Sequence, residues 1–265
     1  MKKILLALAV CLMLGMVGCI QKRAYNAVQF ENQQQQDFDN FLAKKQQASY
    51  YQANDIQEKE YYAQFESELF NYVDSVRLFI NWKGIIEDIK TEESGKTTAL
   101  KFTITYKPEE YREVEFHCTH LIDTDSLNSD YIYNTVRNIR NYTVVYFDGF
   151  IRTKNNDEVY YYLRSAGNDL NISYPNYEFW ITDIGSEKRN DTLSNNLQDA
   201  VSIVCKLGEP MKEYFMKSIT KEEFDRQSNE LLPLYKEAES MLSDREKQYA
   251  KRFNTCLMYN YLYGD

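Results

Sequence analysis

Both histidines of this chain lie in the stretch "HCTH", residues 117–120. On a β-strand alternate residues share a face, so Cys118 and His120 point together and His117 points away. Cys118 and His120 would supply two ligands to a zinc or copper ion, with Asp123 or Asp125 adding a third. No second pair at matching spacing completes a four-ligand site, so an inward cysteine near a strand end is the preferred reading and no cofactor is expected. "SGKTT" suggests a phosphate loop, but that motif needs its first glycine at position 90, where Lys90 stands. It also needs a helix after the loop, and a strand pattern follows, so Gly95-Lys96 reads as a hairpin turn. There is no G-x-S-x-G, and with His117 and His120 as the sole candidate bases, a Ser/His/Asp or Cys/His hydrolase is disfavoured. Adjacent acids such as Glu109-Glu110 and Glu222-Glu223 read as solvated faces or helix first turns, because a glycosidase needs two carboxyls facing each other across a cleft about 5–10 Å wide. No catalytic residue is assigned.

Aromatic residues carry more weight, with 23 tyrosines in 265 residues. In "VYYYL" Tyr161 shares a face with Val159 and Leu163, which makes that the core side. Tyr160 and Tyr162 then lie outside, beside Trp82 or under flanking helices. Trp82, Tyr160 and Tyr162 are therefore the candidate ligand-binding residues. The competing and preferred reading is that the terminal helices cover these rings.

The elements that position these residues follow from periodicity. Residues 19–49 contain no Gly or Pro, and "ENQQQQDFDNFLAKKQQ" reads as a polar helical tether, loosely docked through Phe38, Phe41 and Leu42. A second helix starts at the N-cap Asn54, with Ile56, Tyr62, Phe65, Leu69 and Val73 on one face. The period then changes to two. Val76, Leu78, Ile80, Trp82 and Ile86 are expected on one face of a first strand, with Gly84 marking a bulge or sharp coil. Leu100, Phe102 and Ile104 alternate with Lys101, Thr103 and Thr105, and Val114, Phe116 and Cys118 with Glu113, Glu115 and His117. A helix with the stripe Ile132, Val136 and Ile139 follows, capped by Ser126 or Ser129. Strands return in "YTVVYFDGFIRT", "EVYYYL" and "YEFWITDI". From Glu187 the chain reads as helical. Gly208 and Pro210 are expected to separate two helices, Pro233 to break or kink the next, and Thr220–Glu223 and Ser243–Glu246 to form capping boxes.

This order, three strands, a helix and further strands, is that of an OB-fold barrel with a long first strand shared by both halves. "YYQANDIQ", "NWKGIIEDI", "VVYFDGFI" and "YEFWITDI" together resemble OB-like modules of uncharacterised bacterial envelope proteins over residues 50–185. The resemblance brings no catalytic residues. The fold class expected is thus α+β: an OB-like antiparallel β-barrel of about six strands with one inserted helix, flanked by N-terminal helices and a C-terminal helical hairpin or bundle over residues 186–265.

The chain opens with Lys2 and Lys3, then runs uncharged from Ile4 to Val17. A membrane span needs about 20 apolar residues, so this run suits a secretory signal over residues 1–18. Met16-Val17-Gly18-Cys19 resembles the bacterial lipoprotein signal, which implies cleavage before Cys19 and a diacylglyceryl group on its sulfur. Ile20 is not the aspartate that marks inner-membrane retention in enteric bacteria, so the resemblance implies a periplasm-facing anchor, in the outer rather than the inner membrane of the cell envelope. Removal of the two lysines takes the net charge from −9 to −11. Nucleic acid is therefore not expected as a partner, because phosphate-backbone binding depends on Lys and Arg displacing counterions. The expected partners are the membrane, through the lipid, and an envelope protein. Cys118, Cys205 and Cys256 remain in the body of the protein; one disulfide is conceivable, for instance Cys205–Cys256, but buried free thiols are preferred. The functional expectation is a non-enzymatic binding or assembly module, with an envelope hydrolase acting on glycan or peptide as the alternative.

Overall fold

The computed structural model describes residues 31–52, 54–109, 112–154, 157–162, 172, 174–190 and 192–263. The expected signal sequence, residues 1–18, and Cys19 lie outside the described residues. Helix α1 is Gln33–Ser49, capped by the Asn32 side chain, which accepts the Gln35 N–H. Helix α2 is Asp55–Val76; the Asn54 side chain accepts from the N–H groups of Ile56 and Gln57, with Asp55 and Glu58 at the positive end of the helix dipole. Tyr62, Phe65, Leu69 and Val73 are buried as their spacing predicts. Ile56 is 70% exposed instead, because it sits in the first turn before the buried stripe begins.

Among the described residues five strands, not six, close into a barrel: β1 (Phe79–Ser94), β2 (Thr97–Glu109), β3 (Arg112–Asp123), β4 (Thr143–Ile151) and β5 (Asn176–Gly185), in the order β1-β2-β3-β5-β4. Only the β3–β5 pairing is parallel. A 3₁₀ turn (Thr124–Ser129) and helix α3 (Tyr131–Val136) join β3 to β4. Asp130, rather than either serine, caps α3 by accepting the Tyr133 N–H, and Ile132 and Val136 are buried beneath it. "EVYYYL" makes two isolated bridges, Thr153 to Val159 and Tyr161 to Tyr177, in place of a sixth strand.

Strand β1 serves both halves of the barrel, pairing with β4 over Phe79–Ile86 and with β2 over Ile85–Ser94. Its register shifts on either side of Gly84, near Asn81 and Asp88, whose φ angles are 53° and 55°. The first shift separates residues expected on one face. Phe79, Trp82 and Ile86 point into the barrel, whereas Leu78 and Ile80 pack outside it, and Val76 closes α2. Gly84 itself is not the bulge. A Cβ there would lie 2.5 Å from Ile104 Cγ2, so glycine is required where β1 crosses β2 most closely.

The barrel interior is aromatic: Trp82, Tyr106, Phe116, Phe147 and Tyr177 are fully buried, and Phe79 stacks on Trp82 with ring centroids 4.2 Å apart. Helix α1 is not a loose tether, since Phe38 and Leu42 have no exposed surface. Its amides occupy the edge of β1 that β2 has not yet reached. Gln34 accepts from the Ile80 N–H (3.1 Å) and Trp82 Nε1 (2.9 Å) and donates to the Leu78 carbonyl (3.0 Å). Gln35 both donates to the Lys83 carbonyl and accepts its N–H, and Asn32 donates to the Ile80 carbonyl. These side chains replace the missing neighbouring strand, so the buried backbone stays satisfied. Below them Arg112 grips Asp39 bidentately at 2.9 and 2.8 Å, tying α1 to β3.

The C-terminal helices α4 (Asn195–Phe215), α5 (Lys221–Ser240) and α6 (Asp244–Leu262) form a second layer. Leu197, Val201 and Val204 of α4 and Ala250, Phe253 and Cys256 of α6 enclose Leu78, Phe150 and Trp180 on the barrel's outer wall. Gly208 and Pro210 do not divide the segment; α4 runs through both. Gly208 is there for close approach, as a Cβ would stand 2.7 Å from the Tyr261 ring of α6. Helix α5 likewise continues through Pro233. Ser243 and Glu246 form the reciprocal capping box, and Thr220 caps α5 through the Glu223 N–H. Cys118, Cys205 and Cys256 are free and buried, and burial raises all three thiol pKa values. No described helix is long and apolar enough to cross a membrane.

The two layers meet at a buried polar network. Arg189 pairs with both Asp148 (2.7 Å) and Asp183; Tyr249 of α6 donates to Asp148 at 3.0 Å, and the bulged Asn81 donates its N–H to the same carboxylate at 2.7 Å. Asn81 and Arg189 also exchange hydrogen bonds, the Arg189 N–H to Asn81 Oδ1 and the Asn81 amide to the Arg189 carbonyl. Burial pushes the Asp148 carboxyl up to about 6, with Arg189 and these donors acting in the opposite direction.

Candidate functional site

The C-terminal helices cover the outer wall on the β4 and β5 side and leave the outer faces of β2 and β3 open to a groove of about 610 Å³. That volume falls within the range of small-molecule sites, about 300–1,000 Å³. Alternation builds its floor. Outward residues of β2 and β3 face one another as Lys101 with Thr119 and Thr103 with His117, while Phe102 and Cys118 turn into the core. The parallel β5 extends the row by placing Glu178 beside His117. Arg152, just past β4, completes it: its N–H donates to the Glu178 carbonyl and its guanidinium pairs with the Glu178 carboxylate. Thr103, His117, Glu178 and Arg152 thus form one transverse polar row over four consecutive chain segments.

Aromatic rings frame that row. Tyr162 lies flat on His117, centroids 3.8 Å apart and planes 13° apart, and remains 50% exposed. The Arg152 guanidinium sits 4.0 Å from the centre of the Tyr160 ring and 5.9 Å from that of Trp180. It also donates to the carbonyl of Tyr263, a 53% exposed residue that lines the groove as well. The groove's lysines stand next to a shared carboxylate, Lys101 2.5 Å and Lys90 3.6 Å from Glu92; Asp88 also lines the groove, and His117 Nε2 lies 3.1 Å from Glu115. The surface is therefore polar, locally charge-balanced and flanked by open aromatic faces. It presents many donors and acceptors, and each of its lysines and its arginine has a carboxylate nearby.

The candidate residues read from sequence separate here. Tyr162 belongs to the groove and Tyr160 lies behind it, half-buried under Arg152 and Lys154. Trp82 does not join them; it is fully buried in the barrel, because the shift at Asn81 and the docking of α1 seal it between Phe38 and Phe79. Tyr161 packs on the core near Val159, as alternation predicts, and Leu163 lies outside the described residues. Cys118 is sealed in the barrel with its thiol toward the Phe116 carbonyl, and His120 is held by Asp130 at 2.9 Å. Among the described residues no group of three or more His, Cys, Asp or Glu side chains could hold a metal ion.

Sequence reasoning placed His117 on the outward face of its strand but missed Glu178 and Arg152. A signal for Glu178 was present in "NYEFWI", where it alternates with the inward Tyr177 and Phe179 and so must face out. No local pattern marks Arg152, whose role depends on a partner 26 residues away. Comparison with protein-family models, with curated proteins and with solved structures finds no match to this chain.

Proposed function

We propose that this chain is a lipid-anchored protein of the bacterial cell envelope, and that its barrel is a non-catalytic binding module using the groove over β2, β3 and β5. The observation that carries the binding reading is the part-exposed row His117–Glu178–Arg152 at the floor of the groove, with Tyr162 stacked on its histidine. The order β1-β2-β3-β5-β4 with a helix between β3 and β4 supports an OB-like assignment, and OB-folds bind ligands on the face of strands two and three. Met16-Val17-Gly18-Cys19 supports the anchor; several acyl chains on one residue hold a protein to a bilayer lastingly, at about 0.8 kcal/mol per buried CH₂.

The hydrolase alternative gains no specific support. Asp148 and Asp183, which the fold does bring together, are buried around Arg189, and Glu178 is occupied by Arg152. Two experiments test the proposal. Intact mass spectrometry of protein from bacterial membranes is expected to find a chain starting at an acylated Cys19; a bare Cys19 or a retained leader contradicts the anchor. Amide NMR of the protein without its lipid, titrated with soluble envelope extract, is expected to shift Thr103, His117, Thr119 and Glu178. Shifts confined to α4 and α5 contradict the groove.

A further inference from the structure

We infer that the ligand of this groove is a neutral glycan, an inference that rests on the groove being the binding face. Three properties of the site separate the ligand classes. First, no cation of the groove stands apart from a carboxylate: Lys101 and Lys90 share Glu92, Asp88 also lines the groove, and Arg152 pairs with Glu178. A phosphate or polyanion would have to displace an existing partner, whereas a sugar hydroxyl donates to the carboxylate and accepts from the cation of one pair. Second, the floor backbone is committed: β3 is paired with β2 on one side and with β5 over Glu115–Cys118 on the other. Over Glu115–Cys118, beneath the polar row and Tyr162, an extended peptide finds no free strand edge to add to, which removes there the main-chain hydrogen bonds that give strand addition its affinity. Third, Tyr162 has one face on His117 and half its surface open, and Tyr263, also half open, lines the same groove. The C–H face of a pyranose is apolar and flat enough to stack on such a ring while its hydroxyls reach the polar row.

One ring stacked on Tyr162, with hydroxyls bridging Glu178 and Arg152, uses each of these features. Trp180 lines the groove next to Arg152, whereas Trp82 is sealed from it, so tryptophan fluorescence reports occupancy from the groove side.

The test titrates the folded protein with triacetylchitotriose, cellotetraose and maltotetraose, alongside an oligothymidylate and an unstructured tetrapeptide. At least one neutral oligosaccharide is expected to bind. Tyr162→Ala is expected to weaken that binding about tenfold or more, the equivalent of about 1.4 kcal/mol, and Tyr162→Phe to leave it within about threefold, since the phenyl face is kept. Glu178→Gln separates hydrogen bonding from stacking and should weaken binding with the fold intact by circular dichroism. Glycan binding indifferent to Tyr162→Ala overturns the inference and the groove assignment together. Binding of the oligothymidylate or peptide alone, in a Tyr162-dependent manner, overturns the glycan class and leaves the groove standing. Failure of every oligosaccharide overturns the glycan class, and the amide mapping with envelope extract then decides the groove on its own.

Discussion

Two regions of this protein are built from similar components, carboxylates held by basic side chains beside tyrosines, and differ in how far water reaches those carboxylates. Asp148, Asp183 and the Arg112–Asp39 pair are buried, and Asp148 and Arg112 hold partners from distant segments. Along the groove, Glu178 keeps 31% of its side chain in solvent and the Glu115 beside His117 keeps 39%. Buried pairs cannot lose a partner without stranding a charge, so they fix the placement of helices on the barrel. Exposed pairs contribute little to stability, and their hydrogen-bonding capacity remains for a ligand. Burial, more than residue type, divides scaffold from site.

The contrast breaks most visibly at Arg112. Arg112→Ala leaves Asp39 buried without its bidentate partner and is expected to cost about 3–5 kcal/mol of unfolding free energy, read from denaturant midpoints. A loss below about 1 kcal/mol would erase the distinction between the two regions.

Asp148 gives the next largest effect, through pH. Its carboxyl titrates at about 6 in the folded protein, against about 3.9 in an unfolded chain. Between these values the folded state holds a proton that the unfolded state has released, so stability falls as pH rises through the window. The contribution is complete below about pH 4 and gone above about pH 6, amounting to about 3 kcal/mol. Asp148→Asn is expected to flatten that slope in unfolding curves recorded from pH 4 to pH 7; an unchanged slope rules out this carboxyl as its source.

A smaller effect is expected at the seam between α1 and β1. Gln34→Ala strips the partners from the Ile80 N–H, the Leu78 carbonyl and Trp82 Nε1, at a cost of about 1–3 kcal/mol for the groups left unsatisfied. Hydrogen exchange at Ile80 should accelerate in this variant while exchange at Phe116 follows only global stability. Smallest of all is Glu178→Gln, expected to change stability by less than about 1 kcal/mol. A large loss there would move the groove into the scaffold class.

The alternation of β2 and β3 was legible in the sequence because a strand with one buried face must alternate, and Leu100, Phe102 and Ile104 occupy the core as that rule requires. The inward Tyr161 and the closed strand–helix–strand order were legible for the same reason. Three features were not. The bulge at Asn81 depends on hydrogen bonds to Arg189, 108 residues away, and it hid the true facing of Ile80. The glutamines of α1 look like those of a solvated tether, because their partners are backbone atoms of a strand 44–48 residues later. Pro210 and Pro233 look like helix breaks, but α4 and α5 each run through their proline, with the one N–H that each proline lacks given up and the rest of the helix holding its course. The groove was half legible: its tyrosine and floor follow from period-two alternation, while Arg152 and the exclusion of Trp82 follow only from the closed barrel.

The most direct test of the groove as the binding face is photo-crosslinking in intact bacteria, with a photoactivatable residue at position 119 in the groove or at position 225 on the exposed face of α5. An adduct is expected at 119, lost with Tyr162→Ala and absent at 225. An adduct at 225 alone, or one at 119 indifferent to Tyr162→Ala, would contradict the account.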